Sequence, residues 1–305
     1  MDVYMSIREM IGNTPVLKLN NLGIKEGVSI YAKLELMNPA GSVKDRVGMY
    51  MIDDAVERGI LKEGGTIVDA TAGNTGIGIA IAALNRGYRV IFTVPEKFSI
   101  EKQKVMKALG AEIVHTPREE GMLGAERKAD EIIASIDGAI SLRQFNNPAN
   151  PKAHYETTGP EIYKQLDGQI DYFVAGAGSG GTFSGIVRYL KEKNKEIKGV
   201  LADPYGSIIG GGEHHDYNIE GIGNDFIADT MDISLVDKVI KISDEEAFEA
   251  SRLLAKKEGI LAGSSSGAAL AAAIKLSEQI ESGNIVTVFP DRGDRYLSKG
   301  LFDGE

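Results

Sequence analysis

Short β-branched apolar runs alternate with segments of helical period through most of this chain, and few architectures accommodate such an order. Strands joined by helices lie parallel, and the helices cover both faces of the sheet, so the fold class is α/β. A helix is expected over 42–60, where Val43, Val47, Tyr50, Met51 and Ala55 recur at helical spacing before the turn-prone Lys62–Gly65. The expected order continues with strand 67–70, helix 75–85, strand 89–94, helix 101–109, strand 111–115, helix 124–135 and a short strand 139–142.

A second set begins near Asn146-Asn147-Pro148. It comprises a helix from about Gly159, strand 171–175, helix 183–193 and strand 198–202. Between Pro204 and Gly223 lie 6 glycines, a density that predicts a mobile loop. Ser243 and Glu246 then have capping-box spacing, opening a helix to about Lys257. A strand, an Ala-rich helix after Gly267 and strand 284–289 complete the set. With 305 residues, the chain suits two modest domains better than one core.

Composition removes several functions. The formal charge of −10 repels phosphate backbones and anionic membranes, so neither is an expected partner. The chain has no cysteine, which excludes disulfides, thiolate metal sites and a cysteine nucleophile. The start is charged and lacks a secretory apolar core, and no run approaches the roughly 18 apolar residues of a span, so a cytoplasmic enzyme is expected. His214 and His215 adjoin the glycine-dense loop without a third ligand at a metal-site spacing, and no metal is expected.

Four short motifs sit where a strand or loop hands over to a helix, whose first N–H groups and positive dipole end attract anions. Gly176-Ala177-Gly178-Ser179-Gly180-Gly181-Thr182 forms a phosphate cup. It also satisfies the dinucleotide pattern, with Asp203 ending the next strand, so an NAD-dependent dehydrogenase competes at this point. Gly263-Ser264-Ser265-Ser266-Gly267 matches a hydrolase nucleophile elbow, but no histidine follows it as that reading requires, so Ser265 is read as a hydrogen-bonding group. Thr71-Ala72-Gly73-Asn74-Thr75-Gly76 suits a carboxylate. In Asn38-Pro39-Ala40-Gly41-Ser42-Val43-Lys44-Asp45-Arg46, Lys44 enters the first turn of a helix, the end at which its charge opposes the dipole.

Taken in order, NPAGSVKDR, TAGNTGIGIAIA, QFNNPANP, GAGSGGT, EGIG and GSSSGAAL resemble the catalytic cores of the cysteine synthase and cystathionine β-synthase family, over nearly the whole chain. The resemblance decides the glycine loops against both rivals. It implies two open twisted sheet domains with helices on both faces and pyridoxal 5'-phosphate (PLP) in the cleft between them. The smaller, substrate-carboxylate domain would be 41–146, and the larger, cofactor domain 1–40 with 147–305.

By this resemblance Lys44 forms the Schiff base with PLP and later removes the substrate α-proton. Gly178, Ser179, Gly180, Gly181 and Thr182 hold the phosphate, Asn74 contacts the ring hydroxyl and Ser265 faces the pyridine nitrogen. Thr71, Ala72, Gly73, Asn74, Thr75 and Gln144 form the substrate-carboxylate site, with Gly221 and Asn224 on a loop facing the β-substituent. The implied reaction is β-replacement on O-acetylserine, serine or cysteine through an α-aminoacrylate, with a thiol acceptor. Its product is cystathionine, cysteine or lanthionine, with hydrogen sulfide released from cysteine. Ala72 stands where many cysteine synthases have Ser, which looks closer to bacterial members that accept amino-acid thiols. The implied state is a homodimer acting on small amino acids, and a catalytically weak binding or regulatory member is the alternative within the family.

Overall fold

The computed structural model describes residues 3–96 and 98–303. The chain divides into two compact units, one formed by Lys44–Asn150 with the segment that ends at Ile11, the other by Gly12–Val43 with the residues from Pro151 onward. The divisions thus fall at 43 and 150 instead of 40 and 146, and the N-terminal segment joins the smaller unit rather than the larger. An ion pair of 2.6 Å between Arg8 and Asp53 ties it there.

The larger unit opens with strands β1 (Val16–Lys18) and β2 (Val28–Lys33). The smaller unit then runs α1 (Lys44–Glu57), β3 (Thr66–Ala70), α2 (Asn74–Ala83), β4 (Arg89–Pro95), α3 (Ile100–Ala108), β5 (Glu112–Thr116) and α4 (Gly121–Ser135). The chain returns through α5 (Ala149–Ala153), a π-helical turn at His154–Thr158 and α6 (Gly159–Gln165). It continues with β6 (Tyr172–Ala175), α7 (Gly181–Lys193), β7 (Lys198–Pro204), β8 (Lys238–Ile242), α8 (Asp244–Glu258), α9 (Ser264–Gln279) and β9 (Gly283–Val288).

In the smaller unit β3, β4 and β5 form a parallel sheet in that order. Val68 and Ile91 pack against Ala129 of α4. Their neighbours Ile67 and Phe92, both fully buried, alternate to the opposite face, and α2 contacts β4. The larger sheet has the order β1-β2-β9-β6-β7-β8, with only the β1–β2 pair antiparallel. Period-two alternation again sorts two cores: Phe173, Leu201 and Val286 pack with Phe183 and Ile186 of α7, while Val174, Val200 and Ile285 pack with Leu254 of α8 and Leu270 of α9. Strand order reverses between β9 and β6, and at such a point the crevice beyond the strand carboxyl ends takes ligands. The loop after β6 and the first turn of α9, which runs back into β9, belong to that edge.

Several expectations need correction. Residues 139–142 make no strand, only a bridge from Ile140 to Ile67. Continuation is blocked because the Leu142 and Arg143 N–H groups donate to the Asp69 carboxylate instead of to a strand. The strand expected after 257 reduces to a bridge between Ala262 and Arg292. Helical structure after 146 starts at Ala149, ahead of Gly159. Strands β1, β2 and β8 were absent from the sequence reading. In β2 the disguise is Lys33, wholly buried, whose Nζ donates to the Thr14 carbonyl at 2.6 Å and pairs with Glu161 at 2.7 Å. The expected capping box at Ser243 and Glu246 is formed. Residues between β7 and 223 form no regular element, and Lys241 and the Gly210 N–H hold its start through Asp203, at 2.6 and 2.9 Å.

Helices α1 and α2 meet backbone to backbone. A Cβ on Gly48 would lie 2.2 Å from the Gly78 carbonyl oxygen, and one on Gly78 would lie 2.1 Å from that of Lys44. Neither contact has a flexible side-chain end that can yield, so Gly78→Ala is expected to destabilise the fold by ~2 kcal/mol, the usual scale for forcing atoms into a packed interior. Urea unfolding followed by circular dichroism checks this; a variant that unfolds like the parent would mean that the helices separate freely.

Candidate active site

The segment after β6 is a cradle built from both sides. A Cβ on Gly178 would sit 2.6 Å from the Gly221 carbonyl oxygen, and one on Gly180 only 2.4 Å from Met231 Cβ. Gly180 also has φ +79°, the left-handed region that favours glycine. On one side the Gly223 N–H donates to the Ala177 carbonyl at 2.7 Å, and Asn224 Nδ2 donates to the Gly178 carbonyl at 2.9 Å. On the other, Thr230 Oγ1 donates to the Ser179 carbonyl at 2.5 Å. Gly180 precedes α7 and has no side chain with which to cap it, so the helix presents its first N–H groups and its positive dipole end to whatever the cradle holds.

Behind this loop stands His154, fully buried on the π-helical turn. Its Nε2 lies 3.1 Å from Thr182 Oγ1 and its Nδ1 lies 2.9 Å from Thr158 Oγ1. With the proton on Nε2, the imidazole donates to Thr182 and leaves that hydroxyl's proton aimed elsewhere.

Helix α9 opens the second part. Ser264 Oγ accepts the Glu220 N–H at 3.0 Å, which joins the 220–224 segment to this helix. Ser265 is buried, 5% exposed, and its hydroxyl has no hydrogen-bond partner among the described residues, as suits a group kept for a ligand. Nearby, Tyr296 donates to Asp291 Oδ2 at 2.5 Å; burial, with Asp291 adding to it, holds the phenol well above its usual range.

In the smaller unit Lys44 is the first residue of α1, half-buried, and Asn74 is the first of α2. The Gly78–Lys44 contact sets the two first turns together. Thr71, Ala72 and Thr75 are buried, and Gly73 and Asn74 half-buried, between β3 and α2. Thr75 Oγ1 donates to Gln144 Oε1 at 2.7 Å. Thr71, Thr75 and Gln144 line a cavity of ≈ 170 Å³ together with Asp69, Ser141 and Arg143. Burial pushes the Asp69 carboxyl above the ordinary carboxylate range, against the pull of hydrogen bonds from Ser141, Leu142 and Arg143.

The structure thus brings Lys44, 71–75 and Gln144 together in one unit, and 178–182, Gly221, Asn224 and Ser265 together in the other. Asn224, expected on the substrate side of its loop, gives one of its two amide protons to the Gly178 carbonyl. His154, Thr230, Met231 and Asp69 escaped the sequence reading. Their only signal is that a lone histidine and a threonine stand four apart at 154 and 158, which reads as ordinary helix. His214 and His215 each place Nδ1 3.1 Å from a backbone carbonyl, of Gly206 and of Asp216.

A glycine-rich helix start at a strand-order reversal is the arrangement in which α/β proteins hold phosphorylated ligands. The sequence model for pyridoxal-phosphate dependent enzymes matches residues 7–291, and the chain belongs to that family. It is 53% identical over 305 residues to the O-acetylserine dependent cystathionine beta-synthase of Bacillus subtilis, covering 100% of this chain and 99% of that one. It is 47% identical to a cysteine synthase of Helicobacter pylori, covering 99% and 100% of the two chains. Among solved structures, the O-acetylserine dependent cystathionine beta-synthase from Helicobacter pylori superposes with a TM-score of 0.93 at 47% identity, covering 99% and 100%.

The residues present fit the cofactor: the N–H groups at the head of α7 suit a phosphate, and the Ser265 hydroxyl has no hydrogen-bond partner among the described residues. Thr182→Val and His154→Ala are each expected to weaken PLP about fivefold, the net worth of one neutral hydrogen bond. Equilibrium ultrafiltration of free PLP measures it, and an unchanged dissociation constant in both would separate His154 and Thr182 from the phosphate.

Proposed function

We propose that this enzyme replaces the β-substituent of a serine-derived amino acid, O-acetylserine, serine or cysteine, with a thiol. The products are cystathionine, cysteine or lanthionine, and hydrogen sulfide leaves where cysteine is the donor. The observation that supports the reading is the seating of Lys44: its backbone packs against α2 at Gly78, one turn from Asn74, so the residue proposed to carry the reactive amine and the loop proposed for the carboxylate share one pair of helices.

When bound, pyridoxal phosphate supplies the electron sink that lets an α-proton leave. Lys44 would hold the cofactor through its amine and, as the base of the site, would take the substrate α-proton, a role typically worth about 10²–10⁴ in rate. The N–H groups of 178–182 and the Thr182 hydroxyl hold the phosphate. Asn74 contacts the ring hydroxyl. Ser265 would offer the ring nitrogen a neutral hydroxyl rather than a carboxylate, an environment that suits loss of the β-substituent. Thr71, Thr75, Gln144 and the loop N–H groups hold the substrate carboxylate, and Gly73 lets the loop follow it. Ala72 leaves room beside the β-carbon that a serine would occupy, which suits an acceptor larger than sulfide. Gly221 and Asn224 act by shaping the loop that borders the cradle.

Among the described residues no helix is long and apolar enough to cross a membrane. The proposed setting is the cytoplasm and the proposed state a homodimer acting on small amino acids, without nucleic-acid or membrane partners. The formal charge of −10 is unfavourable to both of those partners.

A matrix of the three donors against sulfide, homocysteine and cysteine, with products identified by mass, tests the reaction. Turnover of at least one donor with an amino-acid thiol is expected, and Lys44→Ala is expected to lose it by more than about 10²-fold. A wild-type protein with PLP bound that replaces no β-substituent would end the proposal, and one that uses only sulfide would remove the role given to Ala72.

A further inference from the structure

We infer that Asp69 is a positioning residue for the donor's carboxylate, holding together the two segments that carry the carboxylate-binding side chains. The inference rests on the reading of Thr71, Thr75 and Gln144 given above.

Asp69 lies in β3, two residues before Thr71, and is 8% exposed. Its carboxylate reaches across to the 141–143 turn and gathers three donors: Ser141 Oγ at 2.7 Å, the Leu142 N–H at 3.1 Å and the Arg143 N–H at 3.3 Å. The next residue is Gln144, whose Oε1 accepts from Thr75 at 2.7 Å. One side chain therefore closes a ring that runs from β3 through Thr71 and Thr75 to Gln144 and back.

The turn needs such a hold. Arg143 has φ +46°, a left-handed conformation sparsely populated by residues that bear a Cβ. It persists only where surrounding bonds over-determine it. Here the Asn146 N–H donates to its carbonyl at 3.0 Å, its guanidinium meets Asp130 at 2.9 Å, and Asp69 fixes its own N–H. The reversal at Arg143 is what turns Gln144 toward Thr75 instead of along the line of residues 139–142. Asp69, Ser141 and Arg143 also line the same cavity as Thr71, Thr75 and Gln144, so a shift in the turn changes the wall of the site.

Asparagine has the volume of aspartate but sets an amide NH₂ group where one oxygen accepted, so Asp69→Asn opposes donor to donor at the turn. With sulfide as acceptor, D69N is expected to raise KM for the amino-acid donor about tenfold, while KM for sulfide stays within about twofold. The dissociation constant of alanine, which has no leaving β-substituent, is expected to rise by the same factor when read from the absorbance of bound PLP. Ser141→Ala, which removes one donor and no charge, is expected to give about threefold in the same two readouts and decides the matter if D69N does not fold. Unchanged donor KM and unchanged alanine affinity in folded variants, or an equal rise in both Michaelis constants, would overturn the inference. A parent enzyme that binds alanine yet lacks turnover would count against the proposed reaction and leave this test intact.

Discussion

Everything proposed for the smaller unit depends on one contact, the meeting of α1 and α2 without side chains between them. Gly48 and Gly78 let a carbonyl of each helix approach where any Cβ would collide. The contact fixes the first turn of α1, and hence the backbone of Lys44, against a helix whose own first turn carries Asn74 and Thr75. A lysine on a flexible loop would have a mobile backbone; that of Lys44 is held by the packing of the two helices.

The larger unit solves its positioning problem in the same way. The loop after β6 has no side chains with which to hold itself, so neighbours hold it: the 221–224 segment through Gly223 and Asn224, and the 230–231 segment through Thr230 and Met231. Closeness on both sides demands glycine at 178 and 180, and the same loop opens α7, whose first turn suits an anion. Packing and ligand binding thus make the same demand on the sequence.

That coincidence explains what was legible. The parallel α/β class, most helices and the central strands followed from apolar period and from the Ser243 cap, because local preference and tertiary packing agree there. The glycine and serine clusters at 71–76, 176–182 and 263–267 were legible as helix starts, because close approach and a helix's first turn call for the same small residues. What escaped were interactions whose two ends are far apart in the chain. Lys33, a charge buried inside β2, finds its partners in Thr14 and Glu161, far from it in the chain. Asp69 looked like a strand residue and Ser141 like part of another strand, yet together they replace a ladder by a turn. His154 and Thr182 stand 28 positions apart, and nothing in the spacing announces the bond.

The assignment of Lys44 is tested most directly by reducing the PLP-loaded enzyme with borohydride, digesting it and locating the cofactor by mass. The cofactor is expected on the single peptide that carries Lys44. Its recovery on another lysine, or on none, would contradict the seating of the reactive amine at the head of α1.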